Sequence, residues 1–353
     1  MNEKKITRRS FLKGTLLTVG AAIASPVLSQ VAPLTLRDQS QNTKPSEFMQ
    51  RSASQFNYGP SYGVAKLNAN ENPYGPSPAA LNAMNKAIQK GSYYVTAVTK
   101  LKEMIAEKNN VTTDHILIGS GSSAPLQWLA TKVTRKGHIL GPDLFWDTTS
   151  IMGSKNNQFT LERLPKSSDL SINLDDMEKF VTPNTALIQI TNPNNPTGNV
   201  IKKDELDRII DLASRWKNCT IISDEIYDKL IYGQSKHTCI PSLSDQIKQK
   251  TILVNGVSKT YAMTGWRIGY TTANSEIVKA MSKIQGQTTS CPNAIGQKAS
   301  VAALLGDQEP VIAMKEKFRN RRTVMYNELN GLANVKCDMP GGAFYMFPDF
   351  SYY

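Results

Sequence analysis

The sequence of 353 residues predicts an α/β fold, a mostly parallel sheet with helices on both faces. Two observations carry the prediction. Short apolar, strand-like runs alternate with longer amphipathic ones, the pattern of strands buried between helical layers. Turns rich in Gly, Asn and Ser follow those apolar runs, beyond the carboxyl ends of the strands, where such sheets place their ligands.

The elements follow in order. Leu67–Pro78 (LNANENPYGPSP) is a turn cluster of Pro, Gly and Asn leading into a helix expected over Ala79–Lys90. A helix over Thr99–Asn109 precedes the first strand, His115–Ile118. Gly119-Ser-Gly-Ser-Ser123 then opens a helix over Ala124–Thr134. Strand His138–Leu140 ends in Gly141-Pro-Asp-Leu-Phe-Trp-Asp147. A helix over Leu174–Val181 and strand Ala186–Thr191 lead into Asn192-Pro-Asn-Asn-Pro-Thr-Gly198. Helix Lys202–Ser214 is followed by strand Thr220–Ser223, which closes on Asp224-Glu-Ile-Tyr227. Strands Thr251–Asn255 and Ile268–Thr272 flank a loop, and helices over Ser275–Thr288, Ile295–Gly306 and Pro310–Leu329 complete the pattern. The chain after Gly63 is long enough for one large domain and a smaller one.

Residues 1–24 read as an export signal rather than part of the fold. Basic residues precede a short apolar run from Gly14 to Ala24 with an Ala22-Ile-Ala24 cleavage site. That run is shorter than the roughly 20 apolar residues of a membrane span. Arg8-Arg9 before Phe11-Leu12-Lys13 resembles a twin-arginine signal. It predicts export of a folded protein by the twin-arginine machinery to a periplasmic or exterior location, membrane-tethered if the signal stays uncleaved. Residues 25–63, rich in Ser, Gln, Pro and Asn, read as a linker or N-terminal arm.

Composition excludes several classes. Of the net charge of +12, Lys4, Lys5, Arg8, Arg9 and Lys13 against Glu3 supply +4, and the rest is scattered, which argues against nucleic acid. Four cysteines and three histidines show no ligand spacing, so neither a disulfide framework nor a metal centre is expected.

Chemistry concentrates in Gly256–Gly269 (GVSKTYAMTGWRIG). Lysine holds an aldehyde as a Schiff base when its pKa is lowered, and Lys259 sits between a strand and a glycine-containing loop. Ser258 and Arg267 supply a hydroxyl and a planar guanidinium, a natural pair for a phosphate monoester. An aldehyde and a phosphate held by one short stretch is what pyridoxal 5'-phosphate requires. Gly121, Ser122 and Ser123 add small residues at a helix start, whose first N–H groups point at an anion.

The stretch Gly256–Gly269 resembles the lysine signature of class I/II aminotransferases, and the resemblance covers roughly Leu67 to Tyr353. Asn192–Gly198 matches the family's Asn-Pro-x-Asn-Pro-Thr-Gly loop. Leu67–Pro78 is similar to histidinol-phosphate aminotransferases, and Val335–Phe350 to the small domain of aspartate-type enzymes. The resemblance implies the pyridoxal-phosphate fold type I and a homodimer. It divides the chain into residues 64–85 (small domain, N-terminal part), 86–312 (large cofactor domain) and 313–353 (start of an incomplete small α+β domain).

For the site, the resemblance implies Lys259 as the internal aldimine and the carrier of the Cα proton. Asp224 would pair with the pyridinium nitrogen, and Tyr227 and Asn195 with the phenolic oxygen. Trp146, or alternatively Phe145, would stack on the ring. Gly121, Ser122, Ser123, Ser258 and Arg267 would hold the phosphate, joined by Tyr94 from a partner subunit. Asn70 and Tyr74 would line the substrate side. The implied reaction moves an amino group between an L-amino acid (aspartate, glutamate or one like histidinol phosphate) and a 2-oxo acid. Decarboxylation, β-elimination or cyclisation on the same scaffold is the alternative. The family's later strands and carboxylate-gripping arginine find no match before Tyr353. That leaves Gly341–Phe347 as an expected sheet fragment and a non-catalytic remnant as a further alternative.

Overall fold

Seven strands form a single sheet in the order β1-β7-β6-β5-β4-β2-β3. The computed structural model describes residues 67, 69–95, 99–126, 137–148, 150–151 and 160–353, so the signal and linker readings lie outside the described residues. The chain divides between Ala69 and Asn70, and the fold is that of the unit Asn70–Tyr353. In chain order its elements are α1 (Pro78–Ala87), α2 (Lys100–Lys108), β1 (Ile116–Ser120), β2 (His138–Pro142), β3 (Thr160–Leu164), α3 (Leu174–Phe180), β4 (Thr185–Thr191) and α4 (Lys203–Ser214). There follow β5 (Thr220–Asp224), α5 (Asp245–Lys250), β6 (Thr251–Gly256), β7 (Ile268–Thr272), α6 (Ser275–Thr288), α7 (Ala294–Leu305) and α8 (Glu309–Asn330). The helix expected over residues 124–134 is described only as far as residue 126, which is helical.

β2 pairs in parallel with β3 and β4, β4 with β5, and β5 with β6. β7 runs antiparallel to both of its neighbours, β1 and β6. The start of β7 therefore lies at the edge where the other strands end.

Successive residues of a strand point to opposite faces, and here both faces are apolar. Leu140, Ile188, Ile190 and Ile221 pack on one side against Leu206, Ile209 and Leu212 of α4. Ile139, Leu187, Ile222, Ile252 and Val254 pack on the other against Val278 and Met281 of α6. Each fully buried aliphatic side chain of this kind contributes about 1.5–3 kcal/mol. A third cluster joins Leu101 and Ile105 of α2, Ala80 of α1 and Ala299 and Ala303 of α7 to Ile116, Ile118 and Ile268 at the β1–β7 end. Helix starts are capped by side chains, Ser77 for α1, Thr99 for α2, Asn173 for α3 and Ser244 for α5, each accepting a first-turn amide.

Three points differ from the sequence reading. β3 is an edge strand with a half-exposed, polar sequence (TLERL), so no apolar run announces it. α5 has six residues, too few to show a helical period. The fragment expected over Gly341–Phe347 is not part of the sheet. It makes one isolated bridge, Gly342 to Ile231, because Pro340 and two glycines interrupt the extended run. All four cysteines are free.

Candidate active site

The end of each parallel strand except edge strand β3 delivers one group to a common edge. β1 leads to Gly121–Ser123, β2 to Phe145 and Trp146, β4 to Asn195, β5 to Asp224, and β6 to Ser258 and Lys259. Arg267 arrives from the other direction, immediately before antiparallel β7. Strand pairing aligns Gly119 with Gly269 and Gly269 with Gly256.

That alignment builds a cradle. A Cβ on Gly269 would stand 2.5 Å from the Gly121 carbonyl carbon and from the Ser122 nitrogen, so only glycine lets the β1 loop lie against β7. Gly121 has φ +77°, and a Cβ there would fall 2.3 Å from Arg267 Nη2. Arg267 is itself left-handed (φ 54°, ψ 53°), which turns its exposed side chain back over the loop, where Nη1 donates to Thr264 O at 2.9 Å. The hydroxyls of Ser122, Ser123 and buried Ser258 take no partner among the described residues. The Gly121–Ser122 backbone and the Arg267 guanidinium thus meet at one place, in a loop that also carries the Ser122 and Ser123 hydroxyls, a donor set suited to a phosphate.

Beside the cradle lie the titrating groups. Lys259 Nζ donates to the backbone carbonyl of Asn70 and lies 5.8 Å from the ring centres of both Tyr227 and Phe344. Burial pushes its ammonium down to about 8, with Asp224 opposing the shift and Arg267 adding to it. Asp224 is 5% exposed and accepts the Ile226 amide at 3.2 Å, yet no basic side chain among the described residues ion-pairs with it. Burial raises its carboxyl to about 7. A buried carboxylate with no ion pair fits a partner that carries its own positive nitrogen. Tyr227, buried at 2% exposure, bonds through its hydroxyl to that of Tyr345, and burial holds its pKa well above the ordinary value.

The remaining candidates separate by position. Asn195 is half-buried, with its side-chain amide unengaged among the described residues, whereas Asn194 donates to Leu144 O and Thr197 Oγ1 (both 2.9 Å) and so braces the loop. Phe145 is buried, packed against Gly141 and overlaid by Arg163 at 5.6 Å. Trp146 packs on the cluster that includes Ile222 and Val254. Asn70 meets Lys259 through its main chain, and its exposed residue contributes no side-chain bond to the site. Tyr74 lies edge-on to Phe318 at 5.3 Å, under Lys317 and Arg321, with its buried hydroxyl unpartnered. Tyr94 is 78% exposed and makes no hydrogen bond or ring contact among the described residues.

Sequence reasoning missed three neighbours. Asn72 donates to Lys259 O at 2.8 Å and lies 2.7 Å from Met314 Sδ, tying the lysine to α8. Phe344 and Tyr345 stand edge-on to Tyr227 at 5.4 and 5.5 Å. The Asn-Glu-Asn of the first turn cluster pointed towards Asn72, but nothing local in Ala343-Phe-Tyr345 marks its approach to a lysine more than eighty positions earlier.

The chain is similar to known proteins over most of its length. The chain is 32% identical over 302 residues to an aspartate aminotransferase of Bacillus subtilis, covering 82% of this chain and 76% of the relative. It is 34% identical over 279 residues to an asparagine–oxo-acid transaminase of Streptococcus mutans, covering 76% and 71%. The crystal structure of the aspartate aminotransferase from Rhizobium meliloti superposes with a TM-score of 0.74 at 28% identity, over 80% of this chain and 73% of that one. Residues 62–353 match the family described as aminotransferase class I and II. The chain belongs to the class I and II aminotransferases, pyridoxal-phosphate enzymes of fold type I.

Proposed function

We propose that this enzyme moves the amino group of aspartate, or an L-amino acid like it, to a 2-oxo acid, with Lys259 as its cofactor lysine. The observation that carries the reading is the meeting of Lys259, Asp224 and Tyr227 beside the glycine-lined cradle of Arg267. Aspartate as donor is supported by the names of several relatives, called aspartate aminotransferases, over a histidinol-phosphate-like substrate.

Gly121, Ser122, Ser123, Ser258 and Arg267 would hold the cofactor phosphate. Trp146 would face its ring, Asp224 its ring nitrogen, and Tyr227 and Asn195 its phenolic oxygen. Bound there, pyridoxal phosphate supplies an electron sink for the bonds at the substrate's Cα. Lys259 Nζ, with its pKa near 8, would take the Cα proton as a free amine and return it on the far side of the substrate nitrogen. Asp224, deprotonated opposite a cation, would keep the ring nitrogen protonated. Phe344 lies beside the lysine on one side, and Tyr345 packs against Tyr227.

A homodimer is supported by the exposed Leu81, Ile88, Tyr93, Tyr94 and Leu305 on and beside α1 and α7, which pack together. Tyr94 would then reach the phosphate of the partner subunit. Export by the twin-arginine route is supported by Arg8-Arg9 and the apolar run after them, and no helix of the described residues is long and apolar enough to cross a membrane.

The visible spectrum of the purified protein with pyridoxal phosphate tests the reaction. A band that aspartate bleaches and a 2-oxo acid restores is the transaminase result. A band that recovers with aspartate alone would refute amino-group transfer and favour decarboxylation or elimination.

A further inference from the structure

The hydroxyl of Tyr227 already has a partner inside this chain. Tyr345 bonds to it, with the two rings 5.5 Å apart at 75°. Tyr345 is not free to turn elsewhere. Its segment is fixed from three directions: Arg322 Nη1 donates to Pro340 O at 2.6 Å, Gly342 N to Gly198 O and Ala343 N to Leu230 O, both at 2.8 Å. Tyr232 adds a bond from its hydroxyl to Ala343 O at 2.7 Å, and Phe344 packs 5.2 Å from the Tyr345 ring. Gly198 closes the Asn-Pro loop that carries Asn195. One short segment therefore braces both residues read as partners of the cofactor's phenolic oxygen.

The proton count at the pair decides what each hydroxyl can do. Burial holds both tyrosines protonated at any working pH, and the charged groups facing them are Asp224 and Lys259. Two hydroxyls sharing one bond keep one proton free, and a tyrosine oxygen that accepts one bond can still donate another. Resting on the functional reading above, we propose that Tyr345 is a positioning residue that donates to the Tyr227 oxygen and so commits the Tyr227 proton to the cofactor's phenolic oxygen. The reverse polarity would aim the free proton from Tyr345 instead and leave Tyr227 without a donor for that oxygen.

The test is a spectrophotometric pH titration of the cofactor-loaded wild type, Tyr345→Phe, Tyr227→Phe and the double variant, with no substrate present. Each substitution keeps the ring and removes one oxygen, and the double variant strands no buried hydroxyl. Tyr345→Phe should raise the spectral pKa by up to about one unit, the scale of one hydrogen bond. In the Tyr227→Phe background the same change should shift it by nothing. A Tyr345→Phe spectrum that titrates like wild type would overturn the proposal, as would an equal shift in both backgrounds, because Tyr345 would then act directly or only by packing. A wild type that shows no visible band at all would instead sink the functional reading, and this inference with it.

Discussion

Replacing Asp224 with Asn should stabilise the cofactor-free protein while destroying its use of the cofactor. Asp224 titrates near 7 in the fold against an ordinary 3.8, because burial outweighs the Ile226 amide it accepts and the nearby charge of Lys259. Roughly three units at about 1.4 kcal/mol each sets an upper figure of about 4 kcal/mol for carrying that carboxylate ionised. The sign follows from proton counts. Between pH 3.8 and about 7 the folded state holds a proton that the unfolded chain has lost. Stability contributed by this group is therefore complete below the unfolded value and is lost as pH rises through the folded one. Asn cannot ionise, so the difference in unfolding free energy, variant minus wild type, should climb across this window and level off above it. Urea unfolding of cofactor-free protein at several pH values from 4.5 to 8.5 measures that difference, and subtraction removes the titration of other groups. A difference flat with pH would refute the argument that a buried, uncompensated carboxylate is waiting for a positive partner. The loaded variant should also lose the spectral response to aspartate.

Lys259→Ala should abolish the visible band of the loaded protein. The wild-type lysine titrates near 8 rather than 10.5, so the unfolded chain holds the extra proton between those values and stability should rise with pH there; melting curves of the variant should lack that rise. Gly269→Ala places a methyl against the backbone of Gly121 and Ser122, which cannot yield as a flexible side chain would. It should cost about 1–3 kcal/mol and weaken pyridoxal phosphate binding, measured by equilibrium dialysis. Leu206→Ala, at a fully buried position of α4, should cost about 2–5 kcal/mol in urea unfolding with cofactor affinity unchanged.

Much of this was legible because the candidate site residues lie on local motifs. Lys259, Asp224 and Asn195 each follow a buried apolar strand, and strands of that type must be central and parallel, so their ends converge. β3 escaped notice for the complementary reason: an edge strand has one open side and its sequence is free to be polar. Asn70, expected on the substrate side, meets the lysine through its backbone carbonyl, a contact no side-chain motif announces.

The sequence by itself determined the layered α/β class, the family and with it the cofactor, and it singled out Lys259 as the candidate lysine, because each depends on residue types within one element and the turn after it. Tertiary structure alone decided three things. The direction of β7 brings Arg267 to the cradle from the start of a strand rather than its end. Burial moves Asp224 and Lys259 towards each other in pKa. The return of Phe344 and Tyr345 onto Tyr227 joins residues more than a hundred positions apart. All three are relations between distant parts of the chain, and no window of sequence contains both partners.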